Sequence, residues 1–282
     1  SGRPGPVLID LPMDVQKADI NPVELSGFTV FDRGEYDLKK VRAQIKQYAY
    51  DLVRAERPVL MIGAGVKHAD AIDEFRELGN LLKIPCYPTW NALDVVTSDY
   101  EYYGGRIGTY GGAGRNFGIQ NSDLLLAIGS RISGRITGGN VNSFAREAKK
   151  YVVDVDQGLL QKHYQQVPFG VNIHCDAKKF IELLIDEINL LQDTTSYGGW
   201  LNPDGTLNTL DVWDKSKWTK QAMEWKVKYD PVRPEFYEQK ENVHPYAFMR
   251  TLSNIMDKNA VLIGDCGGNI VVSNHSFETK YG

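Results

Sequence analysis

Short apolar runs alternate with amphipathic helical stretches through the middle of this 282-residue chain, and this alternation restricts the fold more than any other feature. Helical stripes, such as those from Leu38 to Arg57 and from Ala177 to about Leu191, separate most of the runs. The apolar runs are Val59–Ile62, Ile84–Pro88, Leu124–Ile128, Tyr151–Val155 and Val171–His174. Strands that are apolar throughout are typical of parallel sheets with both faces buried. The sequence therefore predicts an α/β fold, a Rossmann-like parallel sheet flanked by helices.

A short glycine motif closes the first of these strands. Gly63-Ala64-Gly65 follows the strand and opens a helix, but His68 stands where the dinucleotide-binding fingerprint needs its third glycine. The motif therefore indicates either a tight turn between strand and helix or a contact with a cofactor.

A longer glycine-rich stretch, residues 104–139, surrounds the third strand. A loop from Gly108 to Arg115 precedes the strand, and Gly129-Ser130-Arg131 follows it, with Arg135 in the next turn. Glycine lets a backbone approach a ligand closely, and guanidinium groups match phosphate geometry. We expect a nucleotide to bind here, at the carboxyl edge of the sheet. The alternative is that both arginines are surface charges beside flexible turns.

Acidic residues end the fourth and fifth strands. Asp154 and Asp156 end the fourth strand, and Asp176 follows the fifth. A carboxylate at such a position accepts hydrogen bonds from a ribose in many nucleotide sites. One of the first two can instead cap the helix that begins near Gly158, with one role for each residue, and Asp176 also suits the N-cap of the helix that follows it. Both interpretations stay open for these residues.

Composition argues against several other functions. The net charge of −4 gives no support for nucleic-acid binding, and the tryptophan-rich stretch near 213–229 carries mixed charge, which favours a helix packed on the domain surface. No apolar run approaches the roughly 18 residues of a membrane span. Cys86, Cys175 and Cys266 are too widely spaced for a disulfide framework or a metal motif, so we expect a cytoplasmic protein.

Signatures of catalysis are missing from the sequence. It contains no GxSxG, Walker A or paired-histidine motif. We therefore predict no catalytic residue and no metal ligand in this chain.

Two further apolar runs lie near the two ends of the chain. Residues 7–11 read as a buried strand, and Ala260–Ile263 reads as another, followed by the glycine-rich loop Gly264–Asn269. Pro245 suits the first turn of a helix before it. A single strand without partners is not a domain. We expect both runs to belong to neighbouring domains that the chain includes only in part.

Six motifs in series carry a resemblance to a known family. They are GRPGPVLIDLPMDVQ at 2–16, RPVLMIGAG at 57–65, GTYGGAGRNFGIQNSDLLLAIGSRISGRITG at 108–138, VVDVD at 152–156, EWKVKYDP at 224–231 and VLIGDCGGN at 261–269. The chain resembles thiamine-diphosphate-dependent enzymes of the acetolactate (acetohydroxyacid) synthase type, whose subunits have three α/β domains. The resemblance implies five segments: the C-terminal end of a pyrimidine-binding domain (1–16), a linker (17–37), a central nucleotide-binding domain (38–191), a linker with the tryptophan-rich segment (192–242) and the start of a diphosphate-binding domain (243–282).

The resemblance also implies cofactors and their contacts. Thiamine diphosphate and Mg2+ would serve the whole protein, and FAD or ADP would bind the central domain. The implied nucleotide contacts are Gly63, Gly65, Tyr110, Gly111, Gly129, Arg131, Arg135, Asp154 and Asp176, and the implied thiamine diphosphate contacts are Gly267, Gly268 and Asn269. The chain departs from the synthase pattern at Tyr110, where a histidine is usual, and between Arg131 and Arg135, where two acidic residues are usual.

The activity implied for the whole protein is decarboxylation of a 2-keto acid and transfer of the two-carbon fragment. The activating glutamate and the magnesium-binding motif of the family have no counterpart in the sequence, so we expect the chain to be inactive alone. A homodimer or homotetramer is implied. Two alternatives stay open: a relative of the acyl-CoA decarboxylase or sulfoacetaldehyde acetyltransferase type, with ADP or no nucleotide, and a nonenzymatic nucleotide-binding module.

Overall fold

A five-stranded parallel sheet forms the centre of the computed structural model, which describes residues 5–27, 36–162, 170–192 and 214–280. The strands are β1 (Pro58–Ile62), β2 (Cys86–Pro88), β3 (Leu124–Ile128), β4 (Lys149–Asp154) and β5 (Val171–His174). Their order in the sheet is β2-β1-β3-β4-β5, and all four pairings are parallel. The predicted parallel α/β sheet is confirmed, with a second strand that is two residues shorter than expected.

Most of the helices in the described ranges lie between or beside these strands. The helices are α1 (Met13–Lys17), α2 (Leu38–Arg54), α3 (Gly65–His68), α4 (Ile72–Leu82), α5 (Ala113–Gln120), α6 (Gly134–Thr137), α7 (Gln157–Lys162), α8 (Ala177–Gln192), α9 (Ser216–Lys228), α10 (Pro245–Ile255) and α11 (Gly268–Ser276). The Asp37 carboxylate caps α2 by accepting a hydrogen bond from the Lys40 amide at 3.0 Å. Asp70, whose φ is 53°, separates α3 from α4.

Alternate residues of each strand face opposite sides of the sheet, as the pleat requires. On one side, Leu60 and Ile62 pack with the apolar faces of α2, α4 and α8. On the other side, Val59 and Met61 pack with residues from α5, α7 and α9. All five residues of β1 and of β3 are buried. Burial on both faces explains why these strands are apolar without interruption.

The tryptophan-rich segment completes the second layer. The predicted surface helix is confirmed as α9, which packs against α5. The indole of Trp218 is buried and donates a hydrogen bond to the Pro58 carbonyl oxygen at 3.0 Å, at the start of β1. Trp225 meets Trp218 and Phe117 edge to face, at centroid distances of 5.8 and 6.0 Å. Residues 193–213, which include much of the second predicted linker, lie outside the described residues, as do residues 28–35 of the first linker.

The two predicted terminal strands are wrong in this structure. Residues 7–11 have no regular structure, and Val7 and Leu8 are 83% and 93% exposed. Residues 260–263 also form no strand, and Ile263 is 89% exposed. A strand needs a hydrogen-bonded neighbour, and neither run pairs with the edge strands β2 or β5. The predicted helix at Pro245 is confirmed as α10.

Among the helices in the described ranges, none combines the length and the apolar composition that crossing a lipid bilayer requires.

Candidate functional site

A cleft at the carboxyl edge of the sheet, called the main cleft below, lies where the strand order reverses. After β1 the chain forms β2 on one side of β1, and it then returns to form β3 on the other side. In open parallel sheets, ligands bind at the carboxyl ends of the strands beside such a reversal. Loops that follow all five strands line a cleft of about 250 Å³ here. Six predicted site residues contribute to its lining, namely Gly63, Gly65, Gly129, Arg131, Asp154 and Asp176.

Three of these glycines interlock. A Cβ atom on Gly63 would lie 2.1 Å from the Gly129 carbonyl oxygen, and one on Gly65 would lie 2.6 Å from the Gly129 Cα. Gly129 also has a φ of +60°, which disfavours any side chain. The loops after β1 and β3 therefore cross so closely that packing alone requires glycine at all three positions.

The amides of the same glycines are already engaged. Gly63 donates to the Ile128 carbonyl oxygen at 2.9 Å, Gly65 donates to that of Gly129 at 3.0 Å, and Gly129 donates to that of Val153 at 3.0 Å. These three N–H groups cannot also hold a phosphate. Because they lack side chains, the glycines leave room for a ligand at this edge of the sheet. Hydrogen bonds to that ligand must come from other groups.

The two predicted arginines take different positions. Arg131 lines the cleft and is exposed, and its guanidinium has no hydrogen bond or ion pair within the described ranges. Arg135 does not line the cleft, and its Nη1 donates to the Tyr110 hydroxyl at 2.6 Å. Tyr110 and Gly111 also lie outside the cleft lining. Of these two arginines, Arg131 is therefore the one placed to offer a positive charge in the cleft.

Trp90 links the cleft to Tyr110. Its indole lines the cleft and lies 5.4 Å from the Tyr110 ring, at an interplanar angle of 32°. Sequence reasoning missed Trp90 and its neighbours Thr89 and Asn91, because no glycine or charged residue marks this loop. Their position just after β2 was the available signal, since the carboxyl ends of parallel strands share one edge.

The acidic residues have structural partners as well as places in the cleft. The Asp154 side chain is buried, and its Oδ1 accepts from the Asp156 amide at 2.9 Å. Asp156 caps α7 by accepting from the Leu159 amide at 3.1 Å, and Asp176 caps α8 by accepting from the Lys179 amide at 3.1 Å. The capping interpretation is confirmed for Asp156 and Asp176, and Asp154 and Asp176 also line the cleft.

Cys175 also lines the cleft, next to Asp176. Burial, with a smaller contribution from the Asp176 charge, raises the pKa of its thiol to about 12. The thiol is therefore protonated at neutral pH, and it is not an activated nucleophile. Within the described ranges, no group of three or more His, Cys, Asp and Glu side chains is arranged to hold a metal ion.

The candidate thiamine diphosphate contacts lie away from this cleft. Gly267, Gly268 and Asn269 stand at the start of α11 and are exposed. Gly267 has a φ of +84°, and a Cβ atom on Gly267 or Gly268 would meet no atom within 4 Å. The turn thus presents open backbone at the N-terminus of a helix, where anions are favoured.

Comparison with known proteins extends this picture. Residues 45–184 match the family model described as thiamine pyrophosphate enzyme, central domain. A probable acetolactate synthase large subunit of Methanocaldococcus jannaschii is 30% identical over 288 residues, which cover 99% of this chain and 44% of the relative. The large subunit of Escherichia coli acetolactate synthase isozyme 2 is 38% identical over 164 residues, 57% of this chain and 28% of the relative. The mitochondrial acetolactate synthase catalytic subunit of Saccharomyces cerevisiae is 28% identical over 293 residues, 97% of this chain and 37% of the relative. The chain thus spans less than half the length of each of these relatives.

Proposed function

The chain belongs to the family of thiamine-diphosphate-dependent, acetolactate synthase-like enzymes, and from this premise we propose that it supplies the nucleotide-binding central part of such an enzyme. The whole protein would decarboxylate a 2-keto acid and transfer its two-carbon fragment, with Mg2+ beside thiamine diphosphate. The observation that carries the proposal is the cleft at the strand-order reversal, inside the stretch that matches the central-domain model.

The ligand that the cleft suits is the adenine nucleotide moiety shared by FAD and ADP. The cleft has a volume of about 250 Å³, slightly below the roughly 300 Å³ at which ligand pockets usually begin. Part of the ligand would therefore remain in solvent. Arg131 would hold a phosphate, since its charge has no partner within the described ranges. Asp154 and Asp176 would lie near the ribose, while Gly63, Gly65 and Gly129 would give space.

We propose that the other predicted nucleotide contacts lie at the outer edge of the binding site, beyond the cleft. Arg135, Tyr110 and Gly111 would reach only a ligand longer than the cleft, through the Trp90–Tyr110 pair. Gly267, Gly268 and Asn269 are proposed to approach thiamine diphosphate, which supplies a carbanion-stabilising thiazolium when bound. The proposal also includes that the whole protein is cytoplasmic and forms a homodimer or homotetramer.

The activity is tested by assaying acetolactate formation from pyruvate with thiamine diphosphate and Mg2+. We expect the whole protein to form acetolactate and the 282-residue chain to form none. Acetolactate formation by the chain alone would overturn the proposal that catalysis needs the rest of the protein. A whole protein that instead decarboxylates an acyl-CoA, or that converts sulfoacetaldehyde and inorganic phosphate to acetyl phosphate and sulfite, would overturn the synthase assignment.

The nucleotide is tested on the chain itself. We expect the purified protein to release FAD, seen as a visible flavin band, or to be colourless and release ADP. Arg131→Met should weaken ADP binding about tenfold, since a charge-assisted hydrogen bond to phosphate contributes about 1.5–3 kcal/mol. Arg135→Met is the matched control, and it should change ADP affinity less than twofold because Arg135 bonds to Tyr110 outside the cleft. Equal losses in the two variants, or no nucleotide binding by the native chain, would contradict the cleft assignment.

A further inference from the structure

A second cavity, of about 370 Å³, lies between α5, α9 and the residues after α11. Tyr103, Arg115 and Lys226 contribute polar groups to its lining, together with Glu278 and Lys280 from the end of the chain. None of these residues lines the main cleft. The cavity therefore needs an explanation of its own.

Arg115 is the unusual residue of this cavity. It is only 2% exposed, and its Nε and Nη1 atoms are buried without a hydrogen-bond partner. The fold makes room for it at Gly105, where a Cβ atom would lie 2.4 Å from the Arg115 Cγ, and where φ is +99°. A buried guanidinium without partners is costly, so the site favours a group that would satisfy it.

Tyr103 and Lys226 add two more possible donors to the lining of the same cavity. The Tyr103 hydroxyl is buried and has no hydrogen-bond partner within the described ranges. The Lys226 ammonium lies 5.3 Å from the centre of the Tyr103 ring and makes no salt bridge to a described residue. Burial lowers the pKa of Lys226, and the charge of Arg115 lowers it further, whereas Glu278 and Asp230 raise it. A bound anion would favour the charged form of Lys226.

The carboxylates near the cavity are already paired. Asp230 accepts from Nη1 and Nη2 of Arg250, each at 3.1 Å, and Glu278 accepts from Nη2 of Arg250 at 2.8 Å. Asp99 also lines the cavity. Arg106, buried nearby, donates to the backbone oxygens of Ser273 and Asn274, each at 2.8 Å, and to that of Phe277. Because Arg106, Arg115, Lys226, Arg250 and Lys280 outnumber these acids, the surroundings keep an excess of positive charge.

We propose that this cavity is a second anion site, separate from the nucleotide cleft, which binds the phosphate group of a small metabolite between Tyr103, Arg115 and Lys226. A guanidinium and an ammonium together match the charge of a phosphate dianion, and the hydroxyl adds a neutral donor. The volume exceeds that of inorganic phosphate, so a phosphate monoester fits better. The ligand would join the 98–115 region to α9 and to residues 278–280, and it would stabilise their contact.

The test measures binding of inorganic phosphate and of glycerol phosphate to the 282-residue chain by calorimetry, with chloride at equal ionic strength as reference. We expect both anions to bind, the ester more tightly, and both to raise the melting temperature. Arg115→Met should weaken binding at least tenfold. Tyr103→Phe, which removes only the hydroxyl, should weaken it severalfold and should leave the fold intact.

Arg131→Met separates this site from the proposed nucleotide cleft. It should leave phosphate binding here within twofold of the native value. Phosphate affinity that falls in Arg131→Met and not in Arg115→Met or Tyr103→Phe would place the anion in the main cleft and overturn the proposal. No binding by the native chain at tens of millimolar phosphate would overturn it as well. If Arg115→Met fails to fold, Tyr103→Phe and Lys226→Met decide the outcome.

Discussion

The strand β3 and the run at 260–263 are similar in sequence and opposite in structure. Leu124–Ile128 is apolar, ends at a glycine, and is buried at every position between two parallel neighbours. Residues 260–263 are also apolar and end at a glycine, yet Val261 is 79% exposed and Ile263 is 89% exposed, and the run pairs with no described strand. The residues at 7–11 behave like the second run.

The difference shows that an apolar run specifies a strand only where neighbours exist for it. β3 receives hydrogen bonds from β1 and β4 and is covered by helices on both faces. Exposed apolar runs of this kind are unusual in soluble proteins, where large apolar patches mark contact surfaces. The local sequence favours a strand equally in both regions. Whether a strand forms depends on the parts of the chain that surround the run.

The largest difference in stability is expected when the same substitution, isoleucine to alanine, is made in each of the two regions. Ile128→Ala, in β3, should lower the free energy of unfolding by about 2–5 kcal/mol, because it leaves a cavity in a fully buried position. Ile263→Ala should change it by less than about 0.5 kcal/mol, because that side chain is exposed. Urea denaturation followed by circular dichroism gives both values. Similar costs for the two variants would break the comparison and would mean that residue 263 is buried in solution.

A smaller difference is expected between a glycine that follows a paired, buried strand and the glycine that follows the exposed run at 260–263. Gly63→Ala, after β1, should cost about 1–3 kcal/mol, since the new Cβ atom would lie 2.1 Å from the Gly129 carbonyl oxygen. Gly264→Ala, after residue 263, meets no atom within 4 Å and should cost less than about 0.5 kcal/mol. Urea midpoints measure the difference. A Gly63→Ala protein as stable as the native chain would mean that the loops after β1 and β3 do not cross as closely as described.

The sequence predicted much of the central fold because its patterns are local. Five apolar runs with helical stripes between them indicated the parallel sheet, and the covering helix at the tryptophan-rich segment was also expected. The break between α3 and α4 depends on the left-handed conformation of Asp70, which no periodicity reveals. The carboxyl-edge cleft followed from the glycine-rich loops and the strand ends.

The candidate site was predicted less completely. Arg131 and Arg135 are equivalent in sequence, yet only Arg131 lines the cleft, because the turn into α6 directs Arg135 to Tyr110. The glycines were expected to contact a ligand through their backbone, whereas their amides bond to neighbouring strands and loops. Trp90 was missed because nothing in its neighbouring residues marks it. Which side chains meet at an edge depends on strand order, which the sequence does not state.

Residues close together in the chain set the period of each element and the places where glycines and charged residues cluster, since these patterns involve neighbours within a few positions. The tertiary structure decided the strand order, the crossing of Gly63 and Gly65 with Gly129, and the burial of Arg115 beside Tyr103. It also decided that the run at 260–263 is not a strand. The physical reason is that hydrogen-bond partners, desolvation and close packing come from residues distant in the chain.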